Sequence, residues 1–240
     1  MPYLSNRKTV SFDDIASKYD QWEETPLGAL TSRIERNTIL SLFEKAHCRG
    51  PVLDIGCGTG NYVLIFAQRA DDVYGVDISG NMLEVAQLKA KKAGVDVKFT
   101  QADARRLPFP ENSFATVTCL FVIEFTKQQK EVIREIYRVL WPGGHLILST
   151  LNRYSLWAIL RRIKGRFQPT VYNDSQFLSL REVERLLLES GFSCLVWQRA
   201  VYYPPVNSPN ILIHYKLFEF LGQTVLPGTS AFLAVRALKE

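Results

Sequence analysis

Three glycines at alternate positions follow a short apolar segment and an acid early in the chain. Residues 51–55 predict a buried strand, and Gly56, Gly58 and Gly60 come directly after it. Glycine permits backbone angles that other residues avoid and lets the main chain approach a ligand closely. A dinucleotide-binding loop has the spacing G-x-G-x-x-G, which this loop lacks. The carboxylate of Asp54 would repel a pyrophosphate, so the pattern favours a ligand that carries an ammonium group.

A second acid stands at the end of the next predicted strand. Residues 61–70 have a helical pattern, and residues 73–77 predict a strand that ends in Asp77. Together these elements form a nucleoside-binding unit, in which an acid roughly 20 residues after the loop meets ribose hydroxyls. We therefore expect Asp77 to bind a ribose. The competing interpretation is that Asp77 only caps the next helix. Ser79 can also cap that helix.

The loop and the elements after it resemble those of the class I S-adenosylmethionine-dependent methyltransferases, closest to the small-molecule branch called methyltransferase type 11. The resemblance spans roughly residues 13–151. It includes Asp77, the motif Gln101-Ala102-Asp103-Ala104 and the break Trp141-Pro142-Gly143-Gly144 before the fifth strand. It implies an α/β fold, a three-layer Rossmann-like sandwich. The sheet would have seven mostly parallel strands, with the seventh antiparallel between strands five and six.

The resemblance also implies a cofactor and the residues that hold it. The cofactor would be S-adenosyl-L-methionine, with S-adenosyl-L-homocysteine as the product and no metal. Asp54 and the glycine loop would hold its methionine end, Asp77 its ribose and Asp103 its adenine amino group. The other expected cofactor contacts are Tyr19, Cys57, Ile78, Met82, Ala104, Leu120 and Phe121. The competing interpretations are a solvated loop acid for Asp103 and plain core packing for several of the apolar residues.

The remaining pattern predicts the elements that position these residues. Strands are expected at residues 95–99, 113–120, 145–150, 192–203 and 230–238. Helices are expected at residues 29–46, 80–93, 126–140, 180–190 and 211–221. Capping boxes at Ser11/Asp14, Thr126/Gln129 and Ser179/Glu182 would open three helices.

These elements fit a single domain over residues 1–240. Residues 1–46 would hold a lid and helices, because residues 12–22 resemble the N-terminal lid of the family. Residues 47–151 would form the cofactor-binding core. Residues 152–180 and 204–228 are expected to be insertions that cover the substrate, and residues 152–179 lack strand signals.

The sequence indicates less about the acceptor site than about the cofactor site, because methyl transfer from a sulfonium depends mainly on alignment and exclusion of water. An oxygen or nitrogen nucleophile also needs a base, for which Glu124 and His214 are candidates; each is alternatively structural or exposed. We expect an apolar or aromatic acceptor of small to medium size, since the covering segments are rich in rings. The candidate acceptor contacts are Trp22, Glu124, Phe125, Asn152, Trp157, Tyr172 and His214. His47 is expected to be structural or exposed, and His145, at the start of the fifth strand, is expected to be exposed.

Composition sets the remaining expectations. The 240 residues carry a net charge of +5, with a pI near 9.0. No apolar run is long enough to span a membrane and no signal core is visible, which favours a cytoplasmic enzyme. We expect it to be a monomer or a homodimer. The four cysteines show no metal or redox spacing and are expected to be reduced and mostly buried. The basic run over residues 161–166 is either a solvated surface or a patch for an anionic substrate, a membrane surface or RNA.

Three rival functions remain open from the sequence. The positive charge motivates an RNA or protein methyltransferase, although no appended RNA-binding module is visible. The lack of a persuasive base motivates a module that binds S-adenosylmethionine without catalysis. A nicotinamide-dependent dehydrogenase is disfavoured by Asp54 and by the glycine spacing.

Overall fold

A seven-stranded sheet forms the centre of the computed structural model, which describes residues 10–46 and 49–240. The strands are β1 Val52–Ile55, β2 Val73–Asp77, β3 Lys98–Gln101, β4 Phe114–Leu120, β5 Leu140–Leu151, β6 Phe192–Ala200 and β7 Phe232–Lys239. Their order is β3-β2-β1-β4-β5-β7-β6. The first five strands pair in parallel, and β7 is antiparallel to both β5 and β6. The predicted sheet, including the antiparallel seventh strand, is confirmed.

Helices pack on both faces of this sheet. They are α1 Phe12–Ile15, α2 Pro26–Glu44, α3 Val63–Phe66, α4 Gly80–Ala93, α5 Gln129–Val139, α6 Leu156–Phe167, α7 Leu180–Glu189, α8 Pro209–Leu212 and α9 Tyr215–Val225. Short 3-10 helices cover Ala16–Glu24, Ile123–Phe125 and Pro227–Thr229. Adjacent residues of a strand point to opposite faces, and β1 illustrates this alternation. Leu53 joins the core of α5 and α7, whereas Val52 joins the core of α2 and α3. The result is the expected three-layer sandwich.

Local sequence signals place the helix that begins at the ligand edge of the sheet. Ser79 caps α4, with its Oγ accepting a hydrogen bond from the Met82 amide at 3.1 Å. Gly94 ends the same helix in the left-handed conformation, φ 66°, which glycine adopts without strain. The boxes at Ser11/Asp14 and Ser179/Glu182 are both present.

Several predicted boundaries are wrong. The Thr126/Gln129 box does not form, because α5 begins only at Gln129 and the Thr126 Oγ1 accepts from the Gln128 amide, which closes a turn instead. The helix expected at 61–70 shortens to α3, flanked by hydrogen-bonded turns. The third strand begins at Lys98 rather than at residue 95.

The segment 152–179 contains a helix that the sequence pattern did not reveal. Ser155 caps α6 by accepting from the Ala158 amide at 3.1 Å. The apolar residues of α6 have helical spacing, but most of them face outward rather than toward the core.

Two cysteine and histidine expectations also change. Cys57 and Cys119 are buried as expected, but Cys194 is exposed on β6. His145 is half-buried, because it pairs with Thr116 of β4 and Leu238 of β7 inside the sheet. His47 and Cys48 lie outside the described residues.

Candidate active site

A cavity of about 1190 Å³ opens at the carboxyl ends of β1, β2 and β4. The strand order reverses between β1 and β4, which is the point where open α/β sheets bind ligands. The glycine loop, the 3-10 helix Ala16–Glu24, the ends of β2 and β4 and part of α6 line the cavity. Single-ligand pockets fall at roughly 300–1,000 Å³, so this volume has room for two molecules side by side.

The glycine loop curves under one end of the cavity. Gly56, Gly58 and Gly60 all have positive φ, at 67°, 54° and 88°. A Cβ on Gly56 would meet the Val122 side chain at 2.2 Å, whereas one on Gly58 would meet no atom of the described chain within 4 Å. Gly58 therefore leaves open space on the ligand side of the loop.

Asp77 ties this loop to the start of α4. One carboxylate oxygen accepts from the Gly58 amide at 2.8 Å and the other accepts from the Ser79 amide at 2.9 Å. Asp77 lines the cavity, and burial raises its pKa. The Ile78 amide also hydrogen-bonds to this carboxylate, and since a carboxylate has about four acceptor sites, these amides leave capacity for a ligand.

Asp54 and Gly60 occupy positions different from those expected. Asp54 is 2% exposed, and its Oδ1 accepts from the Thr118 hydroxyl at 2.6 Å. Burial raises its pKa to about 7. Neither residue belongs to the cavity lining that the described chain provides. A Cβ on Gly60 would approach Ala86 at 3.2 Å, so this glycine lets α4 pack closely against the loop. Asp54 supports the loop from beneath through Thr118, and its contact with an ammonium group stays a prediction.

Most of the other expected cofactor contacts line one continuous surface. They are Tyr19, Cys57, Ile78, Met82, Asp103, Ala104, Leu120 and Phe121. Asp103 is held by the Arg105 guanidinium, whose Nε lies 2.9 Å from both carboxylate oxygens. This hydrogen bonding lowers the pKa of Asp103. Ile78 is 63% exposed at the cavity edge, where an apolar side chain can cover a flat ligand.

Side chains of the N-terminal segment fasten it over the glycine loop. Asp20 Oδ1 accepts from Thr59 Oγ1 at 2.8 Å and from Asn61 Nδ2 at 2.9 Å, and Lys89 Nζ lies 2.5 Å from its other oxygen. Burial opposes ionisation, but these hydrogen bonds outweigh it and lower the pKa of Asp20. Asp13 accepts from the Ser79 hydroxyl at 2.5 Å. Sequence reasoning recognised the lid but missed these contacts, because they join residues far apart in the chain.

Glu124 lies at the other end of the cavity and is completely buried. Its Oε2 accepts from the Thr150 hydroxyl at 3.2 Å, while Oε1 has no hydrogen-bond partner in the described chain. Burial raises the pKa of Glu124 to about 7. An unpartnered buried oxygen is costly, so a ligand donor that reached Oε1 would relieve this cost.

Glu35 of α2 is a second carboxyl in the cavity, and sequence reasoning missed it. Burial outweighs the attraction of Arg161 and raises the pKa of Glu35 to about 8. The only available signal was its position on a helix between buried residues. Two carboxyls with raised pKa values in one cleft are typical of a functional site.

Aromatic rings surround this end of the cavity. Arg161 stacks over Trp157 at 5.2 Å and over Tyr172 at 4.7 Å. The ring centroids of Tyr172 and Phe125 are 5.8 Å apart, and Trp22 packs edge-on against Trp157 at 6.3 Å. The expected acceptor residues Trp22, Glu124, Phe125, Trp157 and Tyr172 therefore meet in one place.

Two expected acceptor residues lie elsewhere. Asn152 is buried, and its Nδ2 donates to the Gly228 and Ser230 carbonyls, both at 2.8 Å, which ties β5 to the loop before β7. His214 is exposed between α8 and α9. Of residues 204–228, Pro205 alone is among the described residues that line the cavity. The second insertion thus contributes far less to the cavity than expected, because α8 and α9 pack against α2 and β6.

The described residues lack two further features, a metal-binding cluster and a membrane-spanning helix. Within 10–46 and 49–240, no group of three histidine, cysteine or acidic side chains could hold a metal ion. In the same ranges, no helix has both the length and the apolar character needed to cross a bilayer.

Comparisons with known proteins agree with this geometry. A family described as "Methyltransferase domain" matches residues 53–148. The demethylmenaquinone methyltransferase of Thermus thermophilus is 36% identical over 139 residues, 57% of this chain and 62% of that protein. A ubiquinone biosynthesis O-methyltransferase of Alkalilimnicola ehrlichii is 30% identical over 233 residues, 89% and 92% of the two chains. The matches to the first curated relatives span about three fifths of their length.

A solved structure shares the fold over nearly the whole chain. It is a Thermotoga maritima protein described as an S-adenosylmethionine-dependent methyltransferase, possibly a histamine N-methyltransferase. Its TM-score is 0.69 at 21% identity, and the match covers 95% of this chain and 98% of that chain. The sequence matches, and the sheet order and glycine loop that accompany them, show that this chain belongs to the class I S-adenosylmethionine-dependent methyltransferases.

Proposed function

We propose that this protein transfers a methyl group from S-adenosyl-L-methionine to a ring-bearing, largely apolar small molecule. The observation that carries the proposal is one continuous cavity with two chemically different ends. The glycine loop and Asp77 border one end, and Glu124 with the aromatic cluster borders the other. Two ligands bound in such a cavity would meet in its middle, away from bulk water.

The cofactor end fits an adenosyl amino acid. The open space at Gly58 admits a ligand against the main chain. The free acceptor sites of Asp77 suit ribose hydroxyls, and the ionised carboxylate of Asp103 suits the adenine amino group. S-adenosylmethionine, when bound, supplies a methyl group on a sulfonium. The protein residues align the reactants and exclude water, the contributions that such a displacement needs most.

The acceptor end fits an aromatic ring with a proton-bearing group. Glu124 would accept that proton, because its Oε1 is unpartnered and its pKa is raised to about 7 by burial. A base is most effective when its pKa lies near the working pH. Trp157, Tyr172 and Phe125 would contact the ring. Two relatives are named for demethylmenaquinone methylation and for ubiquinone biosynthesis, and these names also support an aromatic acceptor.

Calorimetry with S-adenosyl-L-homocysteine tests the cofactor half of the proposal. Binding at micromolar ligand is expected, and no binding by folded protein at high micromolar ligand would overturn it. A titration with NAD serves as the matched negative control.

A turnover assay tests the acceptor half. Incubation with S-adenosylmethionine and a panel of hydroxylated aromatic compounds should yield methylated product by mass spectrometry. Cofactor binding without turnover on any acceptor would instead favour a non-catalytic binding module. Turnover on RNA or protein alone would favour the macromolecular alternative.

The division of the chain follows from the same proposal. We infer that residues 10–46 close the cofactor end and that residues 152–180 cover the acceptor. Monomer or homodimer, and a cytoplasmic location, stay predictions that ultracentrifugation and cell fractionation would test.

A further inference from the structure

The helix α6 exposes the side that a surface helix ordinarily buries. Five apolar side chains are between 41% and 80% exposed: Leu156, Ile159, Leu160, Ile163 and Phe167. Their spacing of three and four residues places them on one face of the helix. Trp157 and Ala158, on the opposite side, are buried. The outward face of α6 is therefore apolar although it is not buried.

Basic residues accompany this outward apolar face. Arg161, Arg162, Lys164 and Arg166 are the charged residues of α6, and the helix contains no acid. Arg162 and Arg166 are exposed. Apolar side chains flanked by lysine and arginine are typical of a helix that lies in the interface of an anionic membrane.

The second covering segment repeats the pattern in α9. Leu217, Phe220, Leu221 and Val225 are 46% to 68% exposed and again share one helix face. The acid of this helix, Glu219, is turned inward and accepts from the Val201 and Tyr202 amides. Single hydrophobic residues scattered over a surface are normal, whereas whole apolar helix faces that point outward mark an interaction site.

We propose that the outward faces of α6 and α9 form a docking surface for an anionic lipid bilayer. RNA is a poorer fit, because aliphatic side chains gain nothing from phosphates, and single strands are held by stacking on aromatic rings. A second copy of the chain is also a poorer fit. A two-fold contact buries the same patch on both subunits, which would bring the basic residues of both α6 helices together.

Part of α6 also lines the cavity. Leu160, Arg161 and Lys164 form its wall, while Ile163 and Phe167 of the same helix face outward. A membrane-dissolved acceptor could therefore move from the bilayer to the aromatic end of the cavity without crossing water. This last step rests on the proposed function, whereas the docking surface does not.

Flotation with lipid vesicles tests the proposal without cofactor or acceptor. The wild-type protein should float with vesicles of phosphatidylcholine containing phosphatidylglycerol, and much less with phosphatidylcholine alone. The double variant Arg162→Gln/Arg166→Gln should bind about thirtyfold more weakly, since each basic residue contributes about a fivefold factor at an anionic surface. Arg181→Gln/Arg185→Gln on α7 is the matched control and should bind as the wild type.

A second variant tests the apolar contribution separately, because Arg162 also stacks on Phe177 at 5.5 Å. Ile163→Gln/Phe167→Gln should reduce vesicle binding at least tenfold, as expected for removing two inserted side chains. Leu188→Gln, an exposed leucine on α7, is its control. Circular dichroism and S-adenosylhomocysteine binding should be unchanged in all these variants.

Three results would overturn the proposal. One is no flotation with anionic vesicles by folded wild-type protein. Another is RNA binding with a steep salt dependence and no vesicle binding. The third is a dimer in free solution that Ile163→Gln/Phe167→Gln dissociates. Loss of methyl transfer with intact flotation would count against the proposed function and not against the docking surface.

Discussion

The two ends of the cavity are built by different means. At the cofactor end, the ligand edge is held by two consecutive strand-loop-helix units, as when Asp77 accepts from the Gly58 and Ser79 amides, and the lid adds contacts from Asp20. At the acceptor end, the contacts join distant segments, as when Trp157 donates to the Tyr203 carbonyl and Arg161 covers Tyr172. The cofactor end therefore depends mainly on backbone geometry at neighbouring strand ends, whereas the acceptor end depends mainly on packing between distant segments. Acceptor specificity can therefore change while cofactor binding persists.

The largest effect is expected from removing the proposed base at the acceptor end, which should leave the cofactor end intact. Glu124→Gln keeps the size of the side chain but removes the proposed base. We expect turnover to fall by about 10²–10⁴-fold, the usual contribution of general base catalysis, with S-adenosylhomocysteine affinity unchanged. Glu111→Gln, an exposed acid, is the control. An unaltered rate in steady-state kinetics would remove Glu124 from the mechanism.

The next effect concerns backbone geometry at the cofactor end. Gly56→Ala combines a left-handed backbone with a clash against Val122, so we expect a loss of about 2–4 kcal/mol in the free energy of unfolding. Gly58→Ala has the backbone strain without a clash in the described chain and should cost about 1–2 kcal/mol. Urea unfolding measures both. Equal losses would mean that packing against Val122 is unimportant.

A third substitution tests the ribose assignment. Asp77→Ala should weaken S-adenosylhomocysteine binding by about 1.5–3 kcal/mol, the range for hydrogen bonds to a charged group. The exposed Asp96→Ala is the control and should bind normally. Calorimetry gives both affinities, and melting curves check that the Asp77 variant stays folded. Equal affinity in wild type and variant would contradict the assignment.

The half-buried carboxyl of Glu35 predicts a dependence of stability on pH. The pKa of Glu35 rises from its ordinary 4.5 to about 8 in the folded protein. Between these values the folded state holds a proton that the unfolded state has lost, so stability falls as pH increases. Between pH 4.5 and pH 8, the free energy of unfolding of the wild type should fall by about 0.5–1.4 kcal/mol per pH unit relative to that of Glu35→Gln.

Denaturant titrations of the two proteins from pH 4.5 to pH 8 provide the measurement. A difference that stays flat over this range would show that Glu35 titrates normally. Glu84→Gln, on the surface of α4, supplies a comparison carboxyl with a flat difference expected.

The smallest expected effect lies in the lid. Asp20→Asn weakens the ion pair with Lys89. Both side chains of this pair are partly exposed, so the substitution should lower the free energy of unfolding by about 0.5–1 kcal/mol. Hydrogen exchange should accelerate in residues 12–24 and not in the sheet. Uniform protection in variant and wild type would mean that Asp20 does not fasten the lid.

Sequence patterns predicted the cofactor end well and the acceptor end only in part. The second strand and α4 have the predicted limits, because strand alternation and the Ser79 cap are local signals. The capping box predicted at Thr126 does not form, and helix α6 was not predicted. Such local signals are limited because a side chain can hydrogen-bond to the backbone of a turn as well as to that of a helix. Asp54 was placed correctly in the motif, yet its burial against Thr118 was not readable.

The sequence by itself determined the family, the sheet and the acids at successive strand ends, because these depend on spacing within short segments. Only the tertiary structure brought Glu35, Glu124 and Arg161 to one cavity and directed Asn152 and His214 away from it. The physical reason is that burial and unpaired polar atoms arise from packing between segments that lie far apart in the chain, which no local pattern encodes.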